Sequence, residues 1–206
     1  MSKMKHFIEQ SWLLVVSAFV FGLLIAVTNA ALSERITRNE QAQLYNLMRR
    51  LIVDAKDFET AIEAAQIPDG KGKVNQTDIY KAFNNDGETI GFAFVAVGAG
   101  FADKIKLVIA IDGGCEKFLG FKVLSSNETP GFGSRIKEDE FGEQFKEVPT
   151  GDLEVVKTGD MEKIDLEIVA ISGATVSSEA VVNIFNTYIE EVRRQLQEKG
   201  LISNDK

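Results

Sequence analysis

Residues 11–32 read SWLLVVSAFVFGLLIAVTNAAL and carry no charge. A helix of about 20 apolar residues matches the hydrocarbon thickness of a bilayer. A core helix of a globular protein normally keeps a polar stripe, and none is visible here. We therefore expect a single transmembrane helix over Ser11–Leu32, preceded by a cytoplasmic tail at residues 1–10. Trp12 stands at one end, where an amphipathic ring favours the interface. Lys3, Lys5 and the amino terminus precede the span, and Glu34, Arg35 and Arg38 follow it. This slight basic excess places the N-terminus in the cytoplasm and the body of the chain outside it, at the inner or plasma membrane. A cleaved signal peptide is the rival reading. Thr28, Asn29 and Ala30 make a poor cleavage site, and the apolar stretch is long for such a peptide. Both readings export the domain.

The exported part has few reactive side chains. Cys115 is the only cysteine and His6 the only histidine, and His6 lies in the tail. A disulfide framework, an iron–sulfur site built by this chain alone, a Ser-His-Asp or Cys-His site and a His/Cys zinc site are all excluded. The formal net charge is −8 and no dense Lys/Arg run occurs, which argues against a nucleic-acid partner. Chemistry here must use hydroxyls, carboxylates, backbone or a borrowed cofactor. Cys115, in DGGCEK, is read as incidental: Asp112 and Glu116 oppose thiolate formation beside Lys117.

Periodicity divides the remainder. From Ser33 to about Ala65 the apolar residues Ile36, Leu44, Leu47, Met48, Leu51 and Ile52 recur at near-helical spacing, so residues 33–66 read as a helical stalk. Turn signals follow at Pro68, Asp69 and Gly70 and at Asn84–Gly87. Strand-like runs occupy Ile90–Val97, Lys104–Ile111 and Phe118–Leu124, with connections short enough for an antiparallel meander. Gly98 and Gly100 lack the third glycine and the helix of a dinucleotide fingerprint and read as a turn. Asp139–Lys146 reads as a short helix, and Leu153–Thr158 and Leu166–Ile171 as further strands. A last helix runs from about Glu179 to Glu198, with Val181, Val182, Ile184, Phe185, Tyr188, Ile189, Val192 and Leu196 on one face. The fold class is α+β: one membrane helix, then a domain over residues 67–206 with a mainly antiparallel sheet and flanking helices.

Two loops are candidates for chemistry. In AISGATVSSEAV, Ser177 or Ser178 would cap the last helix, Glu179 would favour its positive end and Gly173 would permit the turn. That leaves the hydroxyl of Thr175 unexplained. A helix N-terminus also stabilises a phosphate, and Gly173 and Ala174 leave room for a ligand beside Thr175. In SSNETPGFGSRI, Pro130 and Gly131 fit a type II turn. Together with the ring of Phe132 they could cover one face of a flat heterocycle, with Glu128 and Thr129 hydrogen-bonding its edge.

ETPGFGSRI followed downstream by SGATVSS resembles the FMN-binding domain family. Within it the chain is most similar to the G subunits of the Rnf electron-transport complexes. The C subunits of the sodium-pumping NADH:quinone oxidoreductases are more distant relatives. The resemblance implies FMN joined through its phosphate to Thr175 by a separate flavin transferase. It implies a phosphate-side cradle at Ser172, Gly173, Ala174, Ser177 and Ser178. Glu128, Thr129, Pro130, Gly131 and Phe132 would lie near the isoalloxazine ring. Lys157 sits where relatives place a basic residue close to the cofactor; otherwise it is a solvated strand-edge lysine. Relatives commonly carry an aspartate three residues before the serine of S-G-A-T, whereas this chain has Val169, with Asp165 and Glu167 the nearest acids. The implied role is an electron carrier within an ion-translocating complex, coupled to sodium or protons, with other membrane subunits as partners and no turnover of a small substrate alone. Two alternatives stand beside it. One is a membrane-tethered adaptor that has lost its flavin, and the other is a stand-alone flavin reductase, against which the lack of a dinucleotide motif counts.

Overall fold

The structure, a computed structural model, describes the backbone of residues 2–68 and 72–203, with side chains from Ser11 onward. The turn expected at Asp69 and Gly70, and the side chains of Lys3, Lys5 and His6, lie outside the described residues. Two compact units are formed, Met1–Gln43 and Leu44–Lys206.

Helix α1 (Ser2–Leu51) makes up the first unit and lends its last turns to the second. From Trp12 to Ile36 its large apolar side chains face outward on all sides: Leu14 is 73%, Phe19 71% and Ile25 71% exposed. Two hydroxyls in this stretch return to their own helix. Ser17 donates to the Leu14 carbonyl and Ser33 to the Ala30 carbonyl, each at 3.0 Å, which removes an unpaired donor from an apolar setting. Among the described residues this is the one helix long and apolar enough to cross a membrane.

The second unit is built on an antiparallel meander of β1 (Asp57–Pro68), β2 (Val74–Phe83), β3 (Thr89–Ala99), β4 (Lys104–Asp112) and β5 (Phe118–Ser125), each paired with the next. A 3-10 turn (Gly133–Lys137) and the short helix α2 (Asp139–Glu143) follow. Then come β6 (Glu154–Val156) and β7 (Glu167–Val169), which pair in parallel, and α3 (Thr175–Glu198). The expected α+β architecture is present, with all three expected meander strands in place.

Both faces of the sheet are covered, which explains the unbroken apolar runs in β3 and β4. Phe92, Phe94 and Ala96 of β3 and Ile105, Leu107, Ile109 and Ile111 of β4 join the cluster that includes the apolar stripe of α3. Their neighbours Ala93, Val108 and Ala110 join a second cluster with Met48 and Leu51 from the end of α1 and Ile52 just past it. Every residue expected on the apolar face of the last helix is buried. Phe118, Phe121, Phe141, Phe145 and Phe185 pack edge-on or tilted, with centroids 4.7–6.3 Å apart.

The stalk reading needs correction. The helix ends at Leu51, and residues 57–68 are strand β1 rather than helix. Pairing of β1 with β2 slips twice, between Thr60 and Ile62 and between Ile62 and Ala65, with Ala64 at a φ of +48°. Each bulge moves the inward side chain off the two-residue period. Phe58, Ile62 and Ala65 are buried at spacings of four and then three, the spacing of a helix face, before Ile67 returns to the two-residue period. The Asp78 carboxylate accepts the Ala64 N–H at 2.9 Å, replacing a ladder bond the bulge gives up.

Phe185→Ala removes the ring shared by Phe118, Phe121 and Phe145, and should cost about 3–5 kcal/mol. Urea unfolding of the detergent-solubilised chain, followed by circular dichroism, should show the midpoint falling accordingly, whereas the exposed Val53→Ala should leave it near wild type.

Candidate functional site

Three segments distant in sequence meet around one cleft of about 500 Å3. The β3–β4 loop contributes Phe101; the loop after β5 contributes Glu128, Thr129, Phe132 and Gly133; the turn into α3 contributes Gly173, Ala174, Thr175, Val176 and Ser177. Phe101, Phe132 and Val176 are 68%, 57% and 51% exposed. Apolar groups so open to water, gathered at one concavity, mark a place where something else is meant to pack.

Helix α3 is held in place by paired side-chain contacts to backbone. The Tyr188 hydroxyl accepts the Val97 N–H at 3.1 Å, on a stretch of β3 that lies past its pairing with β2. Burial pushes the Tyr188 phenol up from its ordinary pKa, so it stays protonated. The Asn186 amide both accepts from and donates to the Leu153 backbone at 2.9 Å. These contacts aim the N-terminus of α3 at the cleft.

That N-terminus lies earlier than the sequence suggested. Thr175 is the first helical residue and Ala174 the cap position, and no side chain caps the helix. Ser177 and Ser178 are buried within the first turn and do not cap it, and Glu179 lies beyond that turn, which contains no acid. The serines are drawn inward because each has a buried partner. Ser178 Oγ accepts the Ile171 N–H at 3.0 Å and donates to the Ala174 carbonyl at 3.1 Å. The uncapped end leaves first-turn N–H groups and their partial positive charge at the cleft, beside the half-buried Thr175. Gly173 makes the turn with a φ of +80°, and a Cβ there would stand 3.4 Å from the Phe132 ring.

The proline-glycine loop forms as expected. Phe132 N–H donates to the Thr129 carbonyl at 3.2 Å and Gly131 has a φ of +76°, the marks of a type II turn. Pro130 and Gly131 are exposed at the tip and do not line the cleft; their role is to turn the chain so that Thr129 and Phe132 do. Glu128 differs from expectation. Its carboxylate accepts the Ala102 N–H at 3.0 Å and the Ser177 hydroxyl at 2.5 Å, so both oxygens serve the protein's own loops. Ser172 is exposed outside the cleft lining, and Ser178 sits beneath it. Lys157 is an exposed residue just past β6 and is not brought into the lining.

The FMN-binding domain family model matches residues 100–190, a span that contains every residue lining the cleft. The G subunit of an ion-translocating oxidoreductase complex from Methanosarcina acetivorans is 29% identical over 195 residues, covering 95% of this chain and 99% of that one. The G subunit of the proton-translocating ferredoxin:NAD(+) oxidoreductase complex from Clostridium ljungdahlii is 31% identical over 182 residues, covering 87% and 88%. The chain belongs to the family of G subunits of ion-translocating oxidoreductase complexes. The crystal structure of NqrC from Shewanella oneidensis shares its fold, with a TM-score of 0.56 at 20% identity over 71% of this chain and 73% of that one.

In this member of the family, Val169 ends β7. Its backbone is gripped at two points by the buried Gln144 amide, which accepts the Val169 N–H at 2.8 Å and donates to its carbonyl at 3.2 Å. Asp165 faces Lys163, which donates a hydrogen bond that holds the carboxyl below its usual range, helped by the Glu167 N–H. Neither Asp165 nor Glu167 lines the cleft.

The sequence reading missed Phe101, Gln144, Asn186 and the role of the Tyr188 hydroxyl. Phe101 did leave a signal, since a large apolar ring in a glycine-rich turn has no core of its own to join. The others left none, because amide and phenol clamps depend on partners far along the chain.

Cys115 is 2% exposed, and burial pushes its thiol up against the opposing pull of Arg193. Arg193 donates to the carbonyls of Cys115 and Thr150, so the segment is braced rather than reactive. A raised thiol pKa lowers the thiolate fraction at neutral pH. Native chain treated with a thiol reagent at pH 7 should therefore react at least about tenfold more slowly than the same chain in urea.

Proposed function

We propose that this chain is a membrane-anchored electron carrier that holds FMN through a phosphoester on Thr175 and works within an Rnf-type ion-translocating complex. The observation that carries the reading is the first residue of α3: a threonine at an uncapped helix N-terminus, with no acid in the helix's own first turn, that opens on an apolar cleft. The residues present fit the group. First-turn N–H groups of α3 suit a phosphate. Gly173 keeps the approach to Thr175 free of a side chain, while Phe101, Phe132 and Val176 give apolar cover to a flat ring.

FMN supplies one- and two-electron redox chemistry, which the side chains of this domain cannot. The protein's own part is to bind, orient and exclude water. Phe101 and Phe132 shield the cleft, Thr129 brings a hydroxyl to its edge, and the Tyr188 and Asn186 clamps keep Thr175 at a set place. A single span offers no route for an ion, so sodium or proton movement falls to other membrane subunits. In this reading residues 1–10 are cytoplasmic, residues 11–32 cross the membrane, and the flavin-bearing domain is extracytoplasmic. A separate flavin transferase attaches the group. Lys157 lies outside the cleft and would act only through a partner or a moved loop.

Intact-mass measurement on denatured chain, co-expressed with the native flavin transferase, tests the linkage. Wild type should carry the mass of one FMN and Thr175→Ala none. Unmodified wild type beside an active transferase would refute the phosphoester. If that unmodified protein were yellow, FMN would be bound non-covalently, and if colourless, the chain would be an adaptor.

A further inference from the structure

We infer that Glu128 is a positioning residue that sets the aperture of the cleft rather than a ligand of what the cleft holds; the inference rests on the flavin reading above for its functional consequence. Glu128 is 6% exposed, although it belongs to a loop whose next three residues are exposed. A buried carboxylate is costly unless its oxygens are hydrogen-bonded, and here each has a partner on a different wall. Oε1 accepts the Ala102 N–H of the β3–β4 loop, and Oε2 accepts the hydroxyl of Ser177, itself 3% exposed, in the first turn of α3.

The chain makes room for this carboxylate. A Cβ on Gly100 would fall 2.4 Å from Oε1, and one on Gly133 would fall 2.5 Å from Oε2. Both loops thus lack side chains where they pass Glu128. Phe101 lies between Gly100 and Ala102, Phe132 adjoins Gly133, and Thr175 lies two residues before Ser177. Each wall of the cleft is therefore within two residues of a group pressed against this one carboxylate. A second link between the loops, from Asn127 Nδ2 to Asp103 at 2.9 Å, is exposed, where water competes for both partners.

The role is bridging, not charge. A glutamine at position 128 can offer its carbonyl to Ala102 N–H and its amide to Ser177, whose hydroxyl rotates to accept. An alanine can make neither bond. The amide and the carboxylate should therefore behave alike, and alanine differently.

Two readouts on full-length chain in detergent separate this proposal from the flavin reading. The first needs no flavin: hydrogen exchange at the Ala102 amide in a Thr175→Ala background. Glu128→Ala should accelerate it at least roughly tenfold, and Glu128→Gln should restore most of the protection. The second is fluorescence anisotropy of attached flavin, in samples whose mass shows equal loading. Loss of the strut should free the ring to move on the nanosecond scale and lower anisotropy by about half, with Gln restoring it. Should Glu128→Ala fail to fold, Ser177→Ala decides. It places a strong helix former in α3 and cuts one arm, so it should lower anisotropy part-way. Wild-type exchange at Ala102 in Glu128→Ala, or Gln as damaging as Ala, would overturn the strut, as would wild-type anisotropy in Ser177→Ala. Wild type without flavin mass would refute the flavin reading alone, while the exchange measurement still judges Glu128.

Discussion

The contact of α3 with one face of the meander governs the geometry of the site. Val181, Ile184, Phe185, Tyr188 and Val192 share a cluster with Phe92, Phe94, Ile105 and Leu107, and burial of that apolar stripe is the main force holding the helix to the sheet. Apolar packing alone would tolerate some sliding. The Tyr188–Val97 and Asn186–Leu153 hydrogen bonds remove that freedom, because buried polar groups must be matched atom to atom. A residue at the start of a 24-residue helix is then placed by contacts several turns away from it.

The cleft combines two properties. Its sides are apolar and open, and one end carries the positive field of a helix terminus with no carboxylate in its first turn. Glu128, the one carboxylate lining it among the described residues, is engaged with Ala102 and Ser177 and turned to structural use. Such a site suits a ligand with a flat apolar body and an anionic tail. That chemistry agrees with the FMN-binding family match.

Much of the fold was legible. Strands β3, β4 and β5, buried on one or both faces, announced themselves as apolar runs between glycine-rich turns, and the stripe of α3 was read residue for residue. Strand β1 was not legible, because its bulges space Phe58, Ile62 and Ala65 like a helix face. The start of α3 was misplaced for a related reason. Serines ahead of an apolar pattern ordinarily cap, but Ser177 and Ser178 found buried partners in Glu128, Ile171 and Ala174. Within the site, Thr175, Phe132 and the Pro130–Gly131 turn stood out in the sequence, whereas Phe101 and the true partners of Glu128 did not.

The sequence by itself determined the apolar N-terminal helix, the exclusion of histidine and cysteine chemistry, three strands of the meander and the two loops that carry the family's motifs. These are encoded within windows of ten to twenty residues by length, periodicity and turn chemistry. Tertiary structure alone decided which of several hydroxyl residues line the cleft, that its one carboxylate is engaged by the protein's own loops, and which aromatic ring joins Phe132. Those outcomes rest on hydrogen bonds between residues 49 and 91 positions apart, Ser177 to Glu128 and Val97 to Tyr188. No local pattern specifies a partner at that distance; it is chosen when the sheet and α3 pack and each buried polar group must find its match.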